Sequence, residues 1–387
     1  MTRFVGAAEA SRQLGVQRAT LYAYVSRGLI ERRVAVDGRT SLYSVDDLEA
    51  LVRRVRRREV PPRPSLDVQI ATSVTTIDED GVRLRGHDVA DLARTSSFEA
   101  VAELLWTGTR PDRVEWPAPD KADVVLARRV TRVVGPHALP AMVAVASALG
   151  CRHEHDDPTV AARRLIGVVP AILGAPAEPV AGSVAERLAT CWRRAEEVPT
   201  LTPVIDRALV LLADHELATS TLAVRIAGST WAPPYQAYAA GLATVQGPLH
   251  GTSAHHAHRL LADAERRGAA TAVAARLQAG ERLPGFGHKI YKGDDPRLAP
   301  LLEAVALLPD PNGRAGVLAE VMREAGVRQT RRPNIDLGLG ALAFIAELPP
   351  DAPLFAVARL AGFAAHLSEE LAERPLRYRG LARPAEG

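Results

Sequence analysis

Apolar residues recur at helical spacing through most of this chain. Because residues three and four apart share one face of a helix, each apolar stripe predicts a helix that packs against a core. The pattern predicts helices over residues 201–213, 239–246, 254–267, 296–308, 315–324 and 339–348. Alternation of apolar and polar positions, which is typical of strands, is confined to residues 68–85 and a stretch near residue 37. We therefore expect a mainly α-helical protein.

The N-terminal stretch predicts a small separate domain over residues 1–60. Its expected elements are helices over 5–14, about 18–27 and about 45–58, and a hairpin turn at Asp37 and Gly38. This order and spacing resemble the winged helix-turn-helix of the MerR and excisionase group. Three prolines make residues 61–66 a short, stiff linker to the rest of the chain.

Basic charge is concentrated in this first domain. The whole chain has a net charge of +3, yet residues 1–64 alone contain 13 arginines against 7 acidic residues. The candidate DNA contacts are Gln17, Arg18, Tyr22 and Arg27. DNA is therefore one expected partner. The alternative is a folded docking domain with a solvated basic helix near residues 53–58.

Composition limits the compartment and the kind of core. With 47% hydrophobic but only 4% aromatic residues in 387, the core must be built from Ala, Val and Leu. Two cysteines, Cys151 and Cys191, do not make a disulfide framework, so a reducing compartment is expected. The N-terminus has no apolar leader, and no apolar run reaches membrane-spanning length. We expect a cytoplasmic protein without membrane contact.

Three turns rich in Gly or Pro, at residues 247–251, 285–292 and 332–336, each hold a chemically active side chain. These are His250, His288 and Asp336. Turns of this kind fix a side chain at an exposed position between regular elements. Two imidazoles and a carboxylate supply a donor, an acceptor and a base at neutral pH. This set suits proton abstraction next to one carbonyl, followed by attack on another.

From residue 67 to residue 387 the chain resembles the citrate synthase family, which includes 2-methylcitrate synthases. Besides the three turns in order, residues 71–88 resemble its small N-terminal strand pair and residues 96–108 its next helix. The resemblance implies a two-lobed helical fold and a homodimer. The large lobe would comprise residues 67–254 and 346–387, and the small lobe residues 255–345, which would close over the substrates.

The resemblance also implies an activity: an acyltransferase of the tricarboxylic acid cycle that condenses acetyl-CoA with oxaloacetate and water to give citrate and CoA. Asp336 would be the base, His250 would stabilise the enol, and His288 would polarise the oxaloacetate ketone. No cofactor is implied, because the CoA thioester is a substrate.

Substrate contacts are implied in the same way. Oxaloacetate would be bound by His215, Arg297 and Arg359, and by Arg374 from the partner subunit, since planar guanidinium groups suit carboxylates. The expected CoA contacts are Pro284, Gly285, Phe286, Gly287, Lys289, Lys292 and Arg332.

Two further clusters have the composition of metal sites. His255, His256 and His258 follow one another on a predicted helix, and residues 151–157 contain a cysteine, two histidines and three acids. Neither has a complementary set of ligands nearby, so we interpret the first as a solvated helix face and the second as a variable loop. No metal is expected.

Three departures from the family pattern leave the substrate open. Ala218 stands where an Asn is usual, residues 252–255 replace a Gly-Ala-Asn-Glu run, and Leu337 replaces an aromatic residue beside the base. A lost aromatic could admit propionyl-CoA, which gives the alternative of a 2-methylcitrate synthase. A second alternative is a DNA-binding regulator whose synthase body senses metabolites.

Overall fold

The computed structural model of this protein divides the chain into two compact units, Met1–Ala71 and Thr72–Gly387. The structure describes residues 4–14, 21–22, 24–25, 30–35, 40–45, 47–48, 69–78, 81–175, 181–247, 250–251, 253–291 and 293–379.

The first unit contains a three-stranded antiparallel sheet. Its elements are β1 (Phe4–Gly6), α1 (Ala7–Leu14), β2 (Arg32–Val34) and β3 (Ser41–Ser44), with strand order β1-β3-β2. The strands on either side of the predicted hairpin turn pair antiparallel, with Val34 opposite Ser41. The prediction that the first helix begins at residue 5 is wrong, because Phe4 and Val5 are good strand formers that pair with β3.

Most of the predicted second and third helices of this unit lie outside the described residues. So do three of the four candidate DNA contacts: Gln17, Arg18 and Arg27. Tyr22 is described and is 49% exposed. The small core consists of Ala10, Leu21, Ile30, Tyr43 and Leu48. The winged helix-turn-helix stays a prediction, as does the proline linker, which is also outside the described residues.

The second unit begins with a small sheet and continues as helices. The strands are β4 (Thr75–Asp78), β5 (Gly81–Leu84) and β6 (His87–Asp88), paired antiparallel in that order. The helices are α2 (Val89–Thr95), α3 (Phe98–Thr107), α4 (Lys121–Val134), α5 (Ala138–Arg152), α6 (Pro158–Ile172), α7 (Val184–Ala189), α8 (Val198–Leu212), α9 (Thr219–Gly228), α10 (Pro234–Val245), α11 (Ser253–Arg267), α12 (Ala269–Gln278), α13 (Leu298–Val305), α14 (Arg314–Arg328), α15 (Ile335–Ile345) and α16 (Leu354–Leu371).

The core of this unit is built mainly from Ala, Val and Leu, as the low aromatic content requires. Helix α16 is buried along most of its length and packs against α6, α8, α9 and α3. Helix α11 packs closely on α15. The prediction of a mainly helical fold is confirmed, whereas the lobe boundaries stay predictions. Among the described residues, no helix has both the length and the apolar character that a membrane span needs.

Two boundaries differ from prediction in ways that matter for function. Helix α15 begins at Ile335, not at residue 339, because the side chain of Asn334 accepts a hydrogen bond from the amide of Asp336 and caps the helix. Helix α13 begins at Leu298, so Pro296 precedes it instead of opening it. The carboxylate just before that helix, Asp295, is engaged by Arg297.

Candidate active site

One open cleft of about 940 Å³ gathers most of the predicted site residues. Its walls include His215, His250, His288, Arg297, Asp336, Arg359, Pro284, Gly285, Phe286, Gly287 and Lys289. These residues come from separate parts of the second unit, so the fold, and not their proximity in sequence, brings them together.

The Pro-rich surroundings of Asp336 predict a turn between elements. Asp336 instead lies in the first turn of helix α15. Burial raises the pKa of its carboxyl to about 6, while the charge of Arg297 opposes this rise. A carboxylate with a raised pKa is a stronger base than an exposed one. It is still ionised at neutral pH, so Asp336 can accept a proton from carbon.

Asp295 connects the base to the first arginine. One of its oxygens, Oδ2, accepts hydrogen bonds from the amide of Ile335 and from Nη2 of Arg297, each at 2.9 Å. The other, Oδ1, accepts from Nε of Arg297 at 2.9 Å. Both side chains are buried. A single carboxylate therefore fixes the start of the helix that carries Asp336 and orients the Arg297 guanidinium at the cleft wall.

The loop that carries His288 is tied to the segment before Asp336. The amide of Gly287 donates to the carbonyl of Arg332 at 2.7 Å, and the side-chain amide of Asn334 donates to the carbonyl of Gly287 at 2.7 Å. Gly285 has φ +78°, and a Cβ there would lie 2.7 Å from Cβ of Leu337. Only glycine fits both the conformation and the space. The loop thus keeps His288 at a fixed position relative to the base.

Backbone groups fix the protonation of His288. Its Nδ1 accepts hydrogen bonds from the amides of Ile290 and Tyr291 at 3.1 and 3.3 Å. Burial, with a contribution from Arg297, lowers the pKa of the ring. The imidazole is therefore neutral with its proton on Nε2, and that nitrogen is a hydrogen-bond donor.

Tyr291 is a site residue that the sequence did not single out. Its ring stacks on His288 with centroids 4.4 Å apart, and its hydroxyl lies 2.6 Å from Nε2 of His215. Burial holds the pKa of His215 well below its ordinary value, with smaller effects from Arg297 and Arg359. The one available signal was an aromatic residue, rare in this chain, three positions after His288.

His250 is held by side chains from two other helices. Its Nε2 lies 2.8 Å from Oγ of Ser220, and its ring meets that of Phe355 edge-to-face at 5.6 Å. Burial lowers the pKa of His250 to about 4, with a smaller effect from Arg359. As predicted, a helix begins just after it, at Ser253. His250 is therefore neutral at physiological pH. Neither Ser220 nor Phe355 carried a sequence signal.

Arg359 is a buried cation whose guanidinium is not fully bonded. Its Nε and Nη1 have no hydrogen-bond partner among the described residues. Burial lowers its pKa to about 10, so it is still charged at neutral pH. An incompletely paired buried charge is costly unless an anion binds there. The close approach of α16 to the segment before His215 depends on Gly362, where a Cβ would lie 2.3 Å from Oδ1 of Asp214.

The remaining predicted residues lie elsewhere. Arg374 is exposed beyond the end of α16 and does not line the cleft. Arg332 is exposed on a neighbouring basic pocket that also includes Lys289, Arg282 and Arg331. Lys292 lies outside the described residues.

The departures from the family pattern have clear positions. Ala218 lines the cleft immediately before α9. Leu337 is fully buried and packs against Gly285, so it is part of the support of the loop and not a flexible wall of the site.

The histidines of α11 are not a freely solvated face. His255, His256 and His258 are all partly buried, and His256 lines the cleft. In the described part of the chain, no group of three or more His, Cys, Asp or Glu side chains is arranged to hold a metal ion.

The cleft combines three imidazoles of lowered pKa, a carboxylate of raised pKa and two buried arginines. These groups define a class of site that can supply acid–base chemistry and bind carboxylates. Comparisons with known proteins agree with this class. Residues 67–385 match the family model of the citrate synthase C-terminal domain. The chain therefore belongs to the citrate synthase family and is an enzyme of that family.

Relatives and solved structures cover most of the chain. Citrate synthase 2 of Bacillus subtilis is 27% identical over 78% of this chain and 90% of its own length. The 2-methylcitrate synthase of Mycobacterium tuberculosis is 26% identical over 78% and 84%. The structure is similar to citrate synthase from Pyrobaculum aerophilum, with a TM-score of 0.70 at 25% identity, covering 83% of this chain and 91% of that one.

A second structural neighbour is citrate synthase from Thermoplasma acidophilum in a ternary complex with carboxymethyl coenzyme A and oxaloacetate. Its TM-score is 0.66 at 25% identity, and the match covers 83% of this chain and 96% of that one.

Proposed function

We propose that this enzyme condenses an acyl-CoA thioester with oxaloacetate and water, with His250, His288 and Asp336 as its catalytic residues. The observation that carries the proposal is the meeting of these three side chains with Arg297 and Arg359 in one cleft. Acetyl-CoA is the first candidate for the thioester, as the family membership indicates.

In the first step, Asp336 removes a proton from the carbon next to the thioester carbonyl. That carbon is a weak acid, so the developing enolate oxygen needs a hydrogen bond at the same moment. His250 would donate this bond from Nδ1, provided that its Nε2 accepts from the hydroxyl of Ser220, 2.8 Å away. The depressed pKa of His250 supports a neutral donor, which does not lose its proton to the carboxylate.

In the second step, the enol carbon attacks the ketone of oxaloacetate. His288 would donate a hydrogen bond from Nε2 to the ketone oxygen and then a proton to the alkoxide. Arg297, Arg359 and His215 would bind the two carboxylates of oxaloacetate. Water finally hydrolyses the thioester and releases the CoA thiol. The incomplete hydrogen bonding of Arg359 supports this assignment, because an arriving carboxylate supplies the missing acceptors.

The far end of CoA would lie on the loop over residues 284–287 and the basic pocket beside it. The loop lines the cleft, and Lys289 and Arg332 offer cations for phosphate groups. Lys292 remains a candidate from sequence alone.

We also propose a homodimer in which Arg374 completes the oxaloacetate site of the partner. Support comes from an exposed apolar patch near this residue, formed by Ile226 (45% exposed), Trp231 (66%) and Leu376 (72%). The amide of Leu376 donates to the carbonyl of Ser229, which keeps the C-terminal segment beside this patch. A contiguous patch of large exposed apolar side chains is typical of a surface that binds another protein.

The test is the release of free CoA thiol from acetyl-CoA and from propionyl-CoA, each with and without oxaloacetate. We expect release that depends on oxaloacetate. If neither thioester reacts although the folded protein binds oxaloacetate, the proposal is wrong.

Propionyl-CoA is the second candidate thioester, because the 2-methylcitrate synthase relative is nearly as similar as the citrate synthases. The ratio of the two rates in the same assay distinguishes the two enzymes. Binding of DNA by the basic N-terminal unit is a separate proposal, which a gel-shift assay with genomic fragments would test.

A further inference from the structure

A mainly apolar cavity of about 230 Å³ lies beside the catalytic cleft. Its walls include Leu139, Val245, Ala254, Leu339, Ala343 and Leu354. The polar side chains that reach it are His255 and the exposed Asp351, and no lysine or arginine is among the described residues of its wall. A phosphate or carboxylate therefore has no cation to meet in this cavity, whereas a hydrocarbon chain fits its chemistry.

The cavity and the cleft are built by the same elements. Helix α15 places Asp336 in the cleft, and Leu339 and Ala343, three and seven residues later, line the cavity. Residues at this spacing lie along one face of a helix. The turn before α11 also contributes to both spaces, because His250 lines the cleft and Gly251 lines the cavity. The apolar space thus begins within about one helical turn of the base.

Phe355 is the partition between the two spaces and belongs to both walls. Its ring meets His250 edge-to-face at 5.6 Å, and the guanidinium carbon of Arg359 lies 4.8 Å from its centroid. A thioester whose oxygen is bound by His250 and whose next carbon faces Asp336 has Phe355 directly beside it. A longer acyl group can then extend past this ring into the cavity.

We propose that the cavity is an acyl-chain site and that the enzyme accepts saturated acyl-CoA thioesters with chains longer than propionyl. This inference rests on the proposed condensation. A proton moves from the carbon next to the thioester carbonyl to Asp336, that carbon bonds to the ketone carbon of oxaloacetate, and the ketone oxygen is protonated. Water then cleaves the thioester bond, which releases the CoA thiol and leaves a citrate bearing an alkyl substituent.

The experiment measures oxaloacetate-dependent thiol release from acetyl-, propionyl-, butyryl- and hexanoyl-CoA. For the unaltered full chain we expect a kcat/KM for butyryl-CoA within about tenfold of that for acetyl-CoA, whereas a site with no room for the longer chain would discriminate by roughly 10–200-fold for each added methylene. A346L is the matched control for A343L, because both alanines are 7% exposed and Ala346 follows the end of the same helix but lines a different groove.

Filling the cavity with A343L should lower the butyryl-to-acetyl ratio of kcat/KM by about tenfold or more, whereas A346L should leave that ratio unchanged. An equal change in both variants overturns the inference. So does a butyryl-CoA rate in the unaltered enzyme more than about 100-fold below the acetyl-CoA rate, a result that needs no variant to fold. Release from acetyl-CoA alone overturns only the acyl-chain site, whereas no release from any thioester overturns the proposed function as well.

Discussion

The loop that carries His288 and the turn that carries His250 face the same cleft, but different kinds of contact hold them. Backbone amides bind Nδ1 of His288, and backbone bonds join its loop to the segment before Asp336. His250 is instead held by two side chains, the hydroxyl of Ser220 and the ring of Phe355.

Because of this difference, we expect substitutions to affect the two halves of the cleft unequally. Backbone contacts do not change when a neighbouring side chain is replaced, so the His288 loop, in the half of the cleft proposed for oxaloacetate, is held mainly by the main chain. Side-chain contacts can change with a single substitution, so the half proposed for the thioester is the part in which specificity can vary. Asp336 belongs to both halves, since Asn334 ties the start of its helix to the His288 loop and the helix extends along the apolar cavity.

The largest expected effect comes from D336N, which removes the base that serves both halves. The side chain keeps its shape but cannot accept a proton from carbon. Positioned acid–base groups contribute about 10²–10⁴-fold, so we expect kcat to fall by roughly 10³-fold in the thiol-release assay.

D112N, which makes the same change at an exposed position, is the control. If D336N retains full turnover, Asp336 is not the base and the proposed mechanism is incorrect.

R359M tests the half of the cleft proposed for oxaloacetate. It removes the buried guanidinium of Arg359, whose Nε and Nη1 have no hydrogen-bond partner among the described residues. Hydrogen bonds to a charged partner contribute about 1.5–3 kcal/mol each, so we expect KM for oxaloacetate to rise by roughly 10²-fold. The KM for the thioester should change much less. The thermal stabilisation that oxaloacetate gives the unaltered protein should also be lost, which a melting experiment with and without oxaloacetate measures. An unchanged KM for oxaloacetate would exclude Arg359 from its site.

The pH dependence of kcat tests whether His250 and His288 are both neutral, although different kinds of contact hold them. Burial raises the pKa of Asp336 to about 6, and protonation abolishes its basicity, so kcat should fall about tenfold per pH unit below that value. His250, whose pKa is lowered to about 4, stays neutral across this range. The loss of thioester absorbance is suited to the measurement, because it does not depend on thiol ionisation. A slope of two protons would show that a histidine titrates as well.

Many residues of the candidate site could be predicted from sequence because they lie in locally recognisable turns. Gly285 and Gly287 have positive φ angles that few other residues adopt, so they mark the His288 loop by composition alone. The position of Asp336 was harder to predict. Pro333 indicated a turn, but the cap formed by Asn334 starts a helix there, and Asp295, forty residues earlier, completes it through the amide of Ile335.

The supporting residues could not be predicted, because their roles depend on contacts between distant segments. Ser220 lies 30 residues before His250, and Phe355 lies about a hundred residues after it. Nothing in their local sequence distinguishes them from ordinary helix residues. The apolar cavity is likewise invisible to a periodicity argument, since Leu339 and Ala343 follow the same apolar pattern whether they fill a core or leave a space.

Y291F tests how much the half of the cleft proposed for oxaloacetate depends on a side chain after all. The change keeps the ring that stacks on His288 and removes the hydroxyl 2.6 Å from His215. Loss of one hydrogen bond costs about 0.5–1.5 kcal/mol, so kcat/KM for oxaloacetate should fall by roughly 3–10-fold. Y291L, which also removes the stack, should reduce it further, whereas Y22F in the N-terminal unit should have no effect. If Y291F and Y291L are equally impaired, the hydroxyl alone matters. If neither is impaired, backbone contacts suffice to orient His288. His288 would then differ even more from His250, which is held by side chains.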